Sequence, residues 1–185
     1  MNTPDHAIDK LKEGNTNFLS THKNKGNITQ GIITDTAVNG QKPYAVIVTC
    51  SDSRVPPEHI FSAGIGDLFV VRTAGNVIGD FELGSIEYGA EHLGAKVVVV
   101  MGHSHCGAVS AALGQKADGH IQAIVDEIKD GIGSETNATR AEDLNITHSK
   151  DIVMSSEIIT HLTSKGALKV IEAKYDIETG VVDFR

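Results

Sequence analysis

Apolar positions along the chain follow two rhythms, one continuous and one helical. Tyr44 to Thr49 (YAVIVT) is an unbroken apolar, β-branched run, and Leu68 to Val71 (LFVV) and Val97 to Met101 (VVVVM) repeat it. Runs of this kind predict strands covered on both faces, as in a parallel sheet. Thr3 ahead of Pro4 reads as an N-cap and first helical residue, and Ala7, Ile8, Leu11, Phe18 and Leu19 then mark one face of an amphipathic helix. A second helix is predicted over roughly Phe81 to Leu93, with Leu83, Ile86, Ala90 and Leu93 turned inward. Others are expected around Ile121, Ile124, Val125 and Ile128 and from about Glu142 to Leu162. Residues from about 22 to 42 are polar and Gly-rich without a period, so they read as a long connection. Leu168 to Tyr175 and Val181 to Phe184, on either side of Glu178-Thr179-Gly180, predict a terminal hairpin.

Strands that alternate with helices define an α/β fold, three layers around a mostly parallel sheet. A length of 185 residues fits one domain, with 1–42 as an N-terminal helix and arm and 43–185 as the α/β core. In such sheets ligands bind beyond the C-terminal ends of the strands, where the strand order reverses. Cys50 follows one predicted strand directly, and His103 and Cys106 follow another.

Charge narrows the partners. With 16 Lys and Arg against 24 Asp and Glu, the net charge of −8 argues against nucleic acid and anionic membrane surfaces, which are bound through cations. No apolar run approaches the length that spans a bilayer, and Met1-Asn2-Thr3-Pro4-Asp5 lacks the basic and apolar regions of a signal peptide. The expected compartment is the cytoplasm. The chain has two cysteines, and in a reducing compartment a pair means metal, redox chemistry or plain burial more often than a disulfide.

The surroundings of those cysteines carry the chemistry. They stand in Cys50-Ser51-Asp52-Ser53-Arg54 and Gly102-His103-Ser104-His105-Cys106-Gly107. Two thiolates and an imidazole suit Zn2+, and three protein ligands leave a fourth tetrahedral position open, as catalytic zinc sites do. Each motif alone is common, and a single His near a Gly-rich turn is more often a structural group. The two together, each at the end of a separate buried strand, are specific.

The pair resembles the signature of β-class carbonic anhydrases. Gly40-Gln41-Lys42-Pro43, the stretch Phe69 to Asn76 (FVVRTAGN) and Gly84-Ser85-Ile86-Glu87-Tyr88 are also similar to their counterparts there. The resemblance implies reversible hydration of CO2 to bicarbonate and a proton through a zinc-bound hydroxide, with one zinc per chain held by Cys50, His103 and Cys106. It implies that Asp52, paired to Arg54, orients the nucleophile, and that Asp52 becomes a fourth ligand in a closed state. Gln41, contributed across a dimer interface, and the Gly107 backbone N–H would bind substrate, with Phe69 and Tyr88 as apolar walls. Members that favour the closed state often carry a bicarbonate pocket with a Trp and an Arg. Arg72 matches the Arg, but the chain has no Trp, so the open Asp52–Arg54 pair is expected near neutral pH.

Homo-oligomerisation, as dimer or tetramer, is the expected assembly, because the N-terminal helix from Pro4 to Leu19 and the connection after it are poorly placed to bury themselves on a chain this small. Two rival readings share the residues. One is a zinc hydrolase of another small linear carbon compound, CS2 or COS. The other is a non-catalytic zinc-stabilised α/β binding protein, which would not require Asp52, Arg54 and Gln41 in combination.

Overall fold

A computed structural model describes residues 3–114 and 117–185. In chain order the elements are α1 (Pro4–Thr21), α2 (Gln30–Asn39), β1 (Ala45–Cys50), α3 (Pro57–Ile60) and β2 (Leu68–Thr73). A tight turn over Ala74–Asn76 leads to α4 (Asp80–Glu87), which winds into a π-helical turn over Tyr88–His92, and then to β3 (Val97–His103). After it come α5 (Gly107–Leu113), α6 (Ile121–Ile132), α7 (Ala138–Met154), α8 (Glu157–Ser164), β4 (Lys169–Tyr175) and β5 (Val182–Phe184).

The sheet order is β2-β1-β3-β4-β5, parallel except for β5, which runs antiparallel to β4. Side chains alternate across a strand, so each unbroken run serves two cores at once. Ala45 and Ile47 of β1 with Val97, Val99 and Met101 of β3 pack against Ala7 and Leu11 of α1 and against Ile60 and Phe61. Val46, Val48, Val98 and Val100 face the other way, onto Ile86, Ala90, Ile146, Val153 and Ile159. Each fully covered Leu or Ile contributes about 2 kcal/mol by leaving water.

The chain steps outward from β1 to β2 and then returns past β1 to β3. The order therefore reverses between β1 and β3, and a crevice opens beyond their C-terminal ends. Cys50 ends one of these strands and His103 the other.

Four expectations need correction. Residues 22–42 are not a structureless connection, because they contain α2. This helix buries none of its residues, so no apolar face of helical period marks it in the sequence. The helix expected from Glu142 to Leu162 is two, broken at Ser155-Ser156, where the Ser156 hydroxyl caps α8 by accepting from Ile159 N–H. β2 is an edge strand and only half-buried along most of its length, not covered on both faces. Finally, α1 seats Ala7, Leu11 and Asn15 on its own chain's core, so this helix needs no partner to cover it.

Candidate metal centre

β1 and β3 deliver Cys50 and His103 to adjacent positions, and a short turn brings Cys106 back beside them. All three are buried, and their ligand atoms lie within 4.8 Å of one another. The turn is shaped by His105, which takes a left-handed φ of 57°. It is pinned by Ser104 N–H on the Tyr175 carbonyl (3.0 Å) and by the Ser104 hydroxyl accepting from Ile177 N–H (3.0 Å).

The donor set fits a soft divalent cation. His103 Nδ1 lies 2.9 Å from the Ser104 carbonyl, which fixes the ring proton on Nδ1. Nε2 is left with a lone pair, buried and without a hydrogen-bond partner. An orphaned buried acceptor beside two thiols is costly unless a cation takes it up. The thiols give the same answer. A hydrogen bond from Cys106, helped by the Asp52 and Gly75 backbone N–H groups, pulls the Cys50 thiol down, despite its burial. The same hydrogen bond, helped by burial, pushes the Cys106 thiol up. The pocket thus favours charge on Cys50 over Cys106, and positive charge between the sulfurs would favour it on both.

Asp52 and Arg54 stand at the rim. Arg54 Nε donates to Asp52 Oδ1 (2.9 Å) and Nη2 to Oδ2 (2.7 Å), a bidentate pair reinforced by Arg54 N–H on Oδ1 (2.9 Å). These bonds hold the Asp52 carboxyl well below the usual carboxylate range. Oδ2 lies 3.9 Å from His103 Nε2, so the ionised carboxylate borders the ligand cluster while committed to Arg54. Arg72 donates from Nε to the Cys50 carbonyl (3.0 Å) and from Nη2 to the Asp52 carbonyl (2.7 Å). Its guanidinium is thereby spent on holding the Cys50–Asp52 backbone.

Gly107 opens α5 immediately after Cys106, and it is exposed. A Cβ there would meet nothing within 4 Å, so own-chain packing does not demand glycine at this position.

Gln41, Phe69 and Tyr88 are not brought to this cluster. Gln41 precedes β1 at the end opposite Cys50, and the strand alone spans roughly 17 Å. Phe69 pairs in register with Val46, about 13 Å along the strand from the level of Cys50. Its ring centroid is 6.1 Å from that of Tyr88, which is exposed. The three thus sit toward the β2 edge and the N-terminal ends of the strands.

Sequence reasoning missed the supports behind the ligands. Gly75 N–H donates to Cys50 Sγ (3.2 Å), and Asp52 N–H does so at 3.4 Å. Glu142, Asn145 and Ser149 of α7 are buried polar residues next to the two cysteine-bearing turns. They interrupt a helix whose Ile146 and Val153 belong to the core, which marks them as polar on that face without naming the turns they bond.

The carbonic anhydrase family profile matches residues 45–182, the span from β1 to β5 that carries every ligand. The chain belongs to the β-carbonic anhydrase family. It is 36% identical over 188 residues to carbonic anhydrase 2 of Mycobacterium tuberculosis, covering 96% of this chain and 90% of that one. It is 34% identical over 196 residues to the Mycolicibacterium smegmatis carbonic anhydrase, covering 98% and 93%. Among solved structures, a β-carbonic anhydrase of Aspergillus fumigatus superposes with a TM-score of 0.76 at 26% identity, covering 98% and 89%. A tetrameric one from Sordaria macrospora gives 0.75 at 26%, covering 84% and 86%.

Proposed function

We propose that this chain hydrates CO2 reversibly with one zinc ion held by Cys50, His103 and Cys106. The observation that carries the reading is the unpartnered, buried Nε2 of His103 set between two buried thiols. Zinc in such a site acidifies a coordinated water and so supplies a nucleophile near neutral pH. Asp52, fixed by Arg54 and with Oδ2 3.9 Å from His103 Nε2, would accept a hydrogen bond from a nucleophile held there and so orient it. Arg72 keeps the carboxylate at this height by gripping the backbone on both sides of Ser51. In this reading the N–H of Gly107, which opens α5 directly after Cys106, would donate to the oxygen on which charge develops.

Substrate contacts come from a second copy of the chain in this reading. Gln41, Phe69 and Tyr88 lie too far from their own cysteines to serve them, whereas a partner docked on the β2 edge receives all three. Exposed Ile33 and Val38 of α2 and Phe81 of α4 supply an apolar surface for that docking. The tetrameric assembly of the Sordaria macrospora relatives supports a homo-oligomer. None of the described helices is long and apolar enough to cross a membrane, and reduced thiol ligands suit the cytoplasm.

The test is metal analysis followed by stopped-flow CO2 hydration with a pH indicator. One zinc per chain and rapid hydration are expected. Zinc-loaded protein that leaves CO2 untouched would overturn the proposal.

A further inference from the structure

α7 carries a buried polar stripe where a core helix would normally be apolar. Glu142, Asn145 and Ser149 occupy positions i, i+3 and i+7, one face of the helix, and are 7%, 1% and 1% exposed. Buried polar groups persist only where their bonds are made, so the partners reveal what the stripe is for. Among the described residues Asn145 Oδ1 has no hydrogen-bond partner, and Glu142 also pairs with Lys174 of β4. The other partners lie on the Cys106 turn and on the Gly75–Asn76 turn that donates to Cys50.

Glu142 Oε1 accepts from the N–H of Cys106 itself (3.4 Å). Its other oxygen pairs with Lys174 Nζ at 2.9 Å, and that lysine side chain is 11% exposed, so the carboxylate is neutralised out of water. Asn145 Nδ2 donates to the Gly75 carbonyl (2.8 Å). Ser149 Oγ donates to the Asn76 carbonyl (3.0 Å) and accepts from Asn76 Nδ2 (3.1 Å). The turn they hold is unusual, with Gly75 at φ 67° and Asn76 at φ 50°, two successive left-handed residues that need outside support. Gly75 N–H in turn donates to Cys50 Sγ.

We propose that the buried polar face of α7 sets the distance between the two cysteine sulfurs, gripping the Cys106 turn through Glu142 and the Cys50 side through Asn145 and Ser149. One rigid helix then fixes two ligands that lie on different strands and far apart in sequence. The three residues touch neither substrate nor ligand sulfur, so they are positioning residues. The inference rests on the zinc reading above. Outer partners of metal ligands typically change metal affinity by about 10- to 100-fold.

The experiment compares two double variants that remove the same charges and differ only in an acceptor. Glu142→Gln/Lys174→Met keeps an oxygen for Cys106 N–H, whereas Glu142→Met/Lys174→Met keeps the volume without it. Asp143 retains Arg185 (3.0 Å) in both. Zinc affinity is read by competition with a chromophoric chelator, and ligand geometry by the thiolate-to-metal charge-transfer band after Co2+ substitution. The Met variant is expected to lose about tenfold or more in zinc affinity and to shift the band, with the Gln variant within about threefold of wild type. Ser149→Ala, which deletes a single oxygen, tests the Cys50 half even where the Met variant does not fold. It is expected to lose at least about threefold and to shift the same band. Equal affinities for the Gln and Met variants, or Ser149→Ala with wild-type affinity and an unchanged band, would overturn the inference. A wild-type chain that binds no stoichiometric zinc would instead remove the metal reading on which it rests.

Discussion

The two ends of β1 differ in what they lack. At the C-terminal end Cys50 finds His103, Cys106, Asp52 and their supports all within one chain. At the N-terminal end Gln41 stands exposed, Phe69 and Tyr88 line an edge strand that nothing covers fully, and α2 buries no residue. The first end is finished by intrachain packing, and the second is a surface that requires something more. In the proposed reading, the charged chemistry and the substrate contacts fall to different protomers.

The largest expected effect belongs to the finished end. Cys106→Ser should abolish stoichiometric zinc and lower CO2 hydration by on the order of 10³ or more, since the metal supplies the nucleophile. A variant with full metal and full rate would show that Cys106 is no ligand. Asp52→Asn should keep zinc yet lose roughly 10² in kcat, because a neutral amide cannot accept the nucleophile's proton bond in the same way. Loss of zinc in that variant would instead make Asp52 structural.

The unfinished end can be tested by mixing. Gln41→Ala alone should lose about tenfold in kcat/KM, and Cys106→Ser is dead. Co-refolded, the two chains should exceed the sum of their separate activities, because a mixed dimer unites an intact zinc site with an intact Gln41. Strict additivity would confine Gln41 to its own chain. Val38→Asp with Phe81→Asp should shift sedimentation toward the monomer and reduce activity in parallel; a monomer with full activity would erase the contrast between the two ends.

The smallest effect is in acid. The Asp52 carboxyl is depressed below its ordinary value near 4, so its pairing stabilises the fold above that pH and the contribution fades as pH falls further. Asp52→Asn should therefore melt below wild type at pH 6 and converge with it as the pH drops toward 2. A gap that widens in acid would contradict the assigned direction.

Much of this was legible in the residues. The β-branched runs announced β1 and β3 because those strands are covered on both faces, and the motifs at their ends announced the cluster of Cys50, His103 and Cys106. The α2 helix was invisible because a helix with no buried residue imposes no apolar period. The α7–α8 break was missed because Ser155-Ser156 interrupts the pattern for only two residues, while both helices keep apolar faces on one core. The supports of the site escaped for a different reason. Glu142 and Gly75 act on the cysteines across long sequence separations, and no local spacing encodes such bonds.

The ten residues of α2 have a thermodynamic consequence. A helix of this length with no buried residue is marginal by its own propensity and frays in an isolated chain. Whatever contact orders it must therefore also supply the free energy of its coil-to-helix transition. If the proposed second copy supplies that contact, dilution is expected to unfold this segment before the sheet, and activity per chain to fall with it.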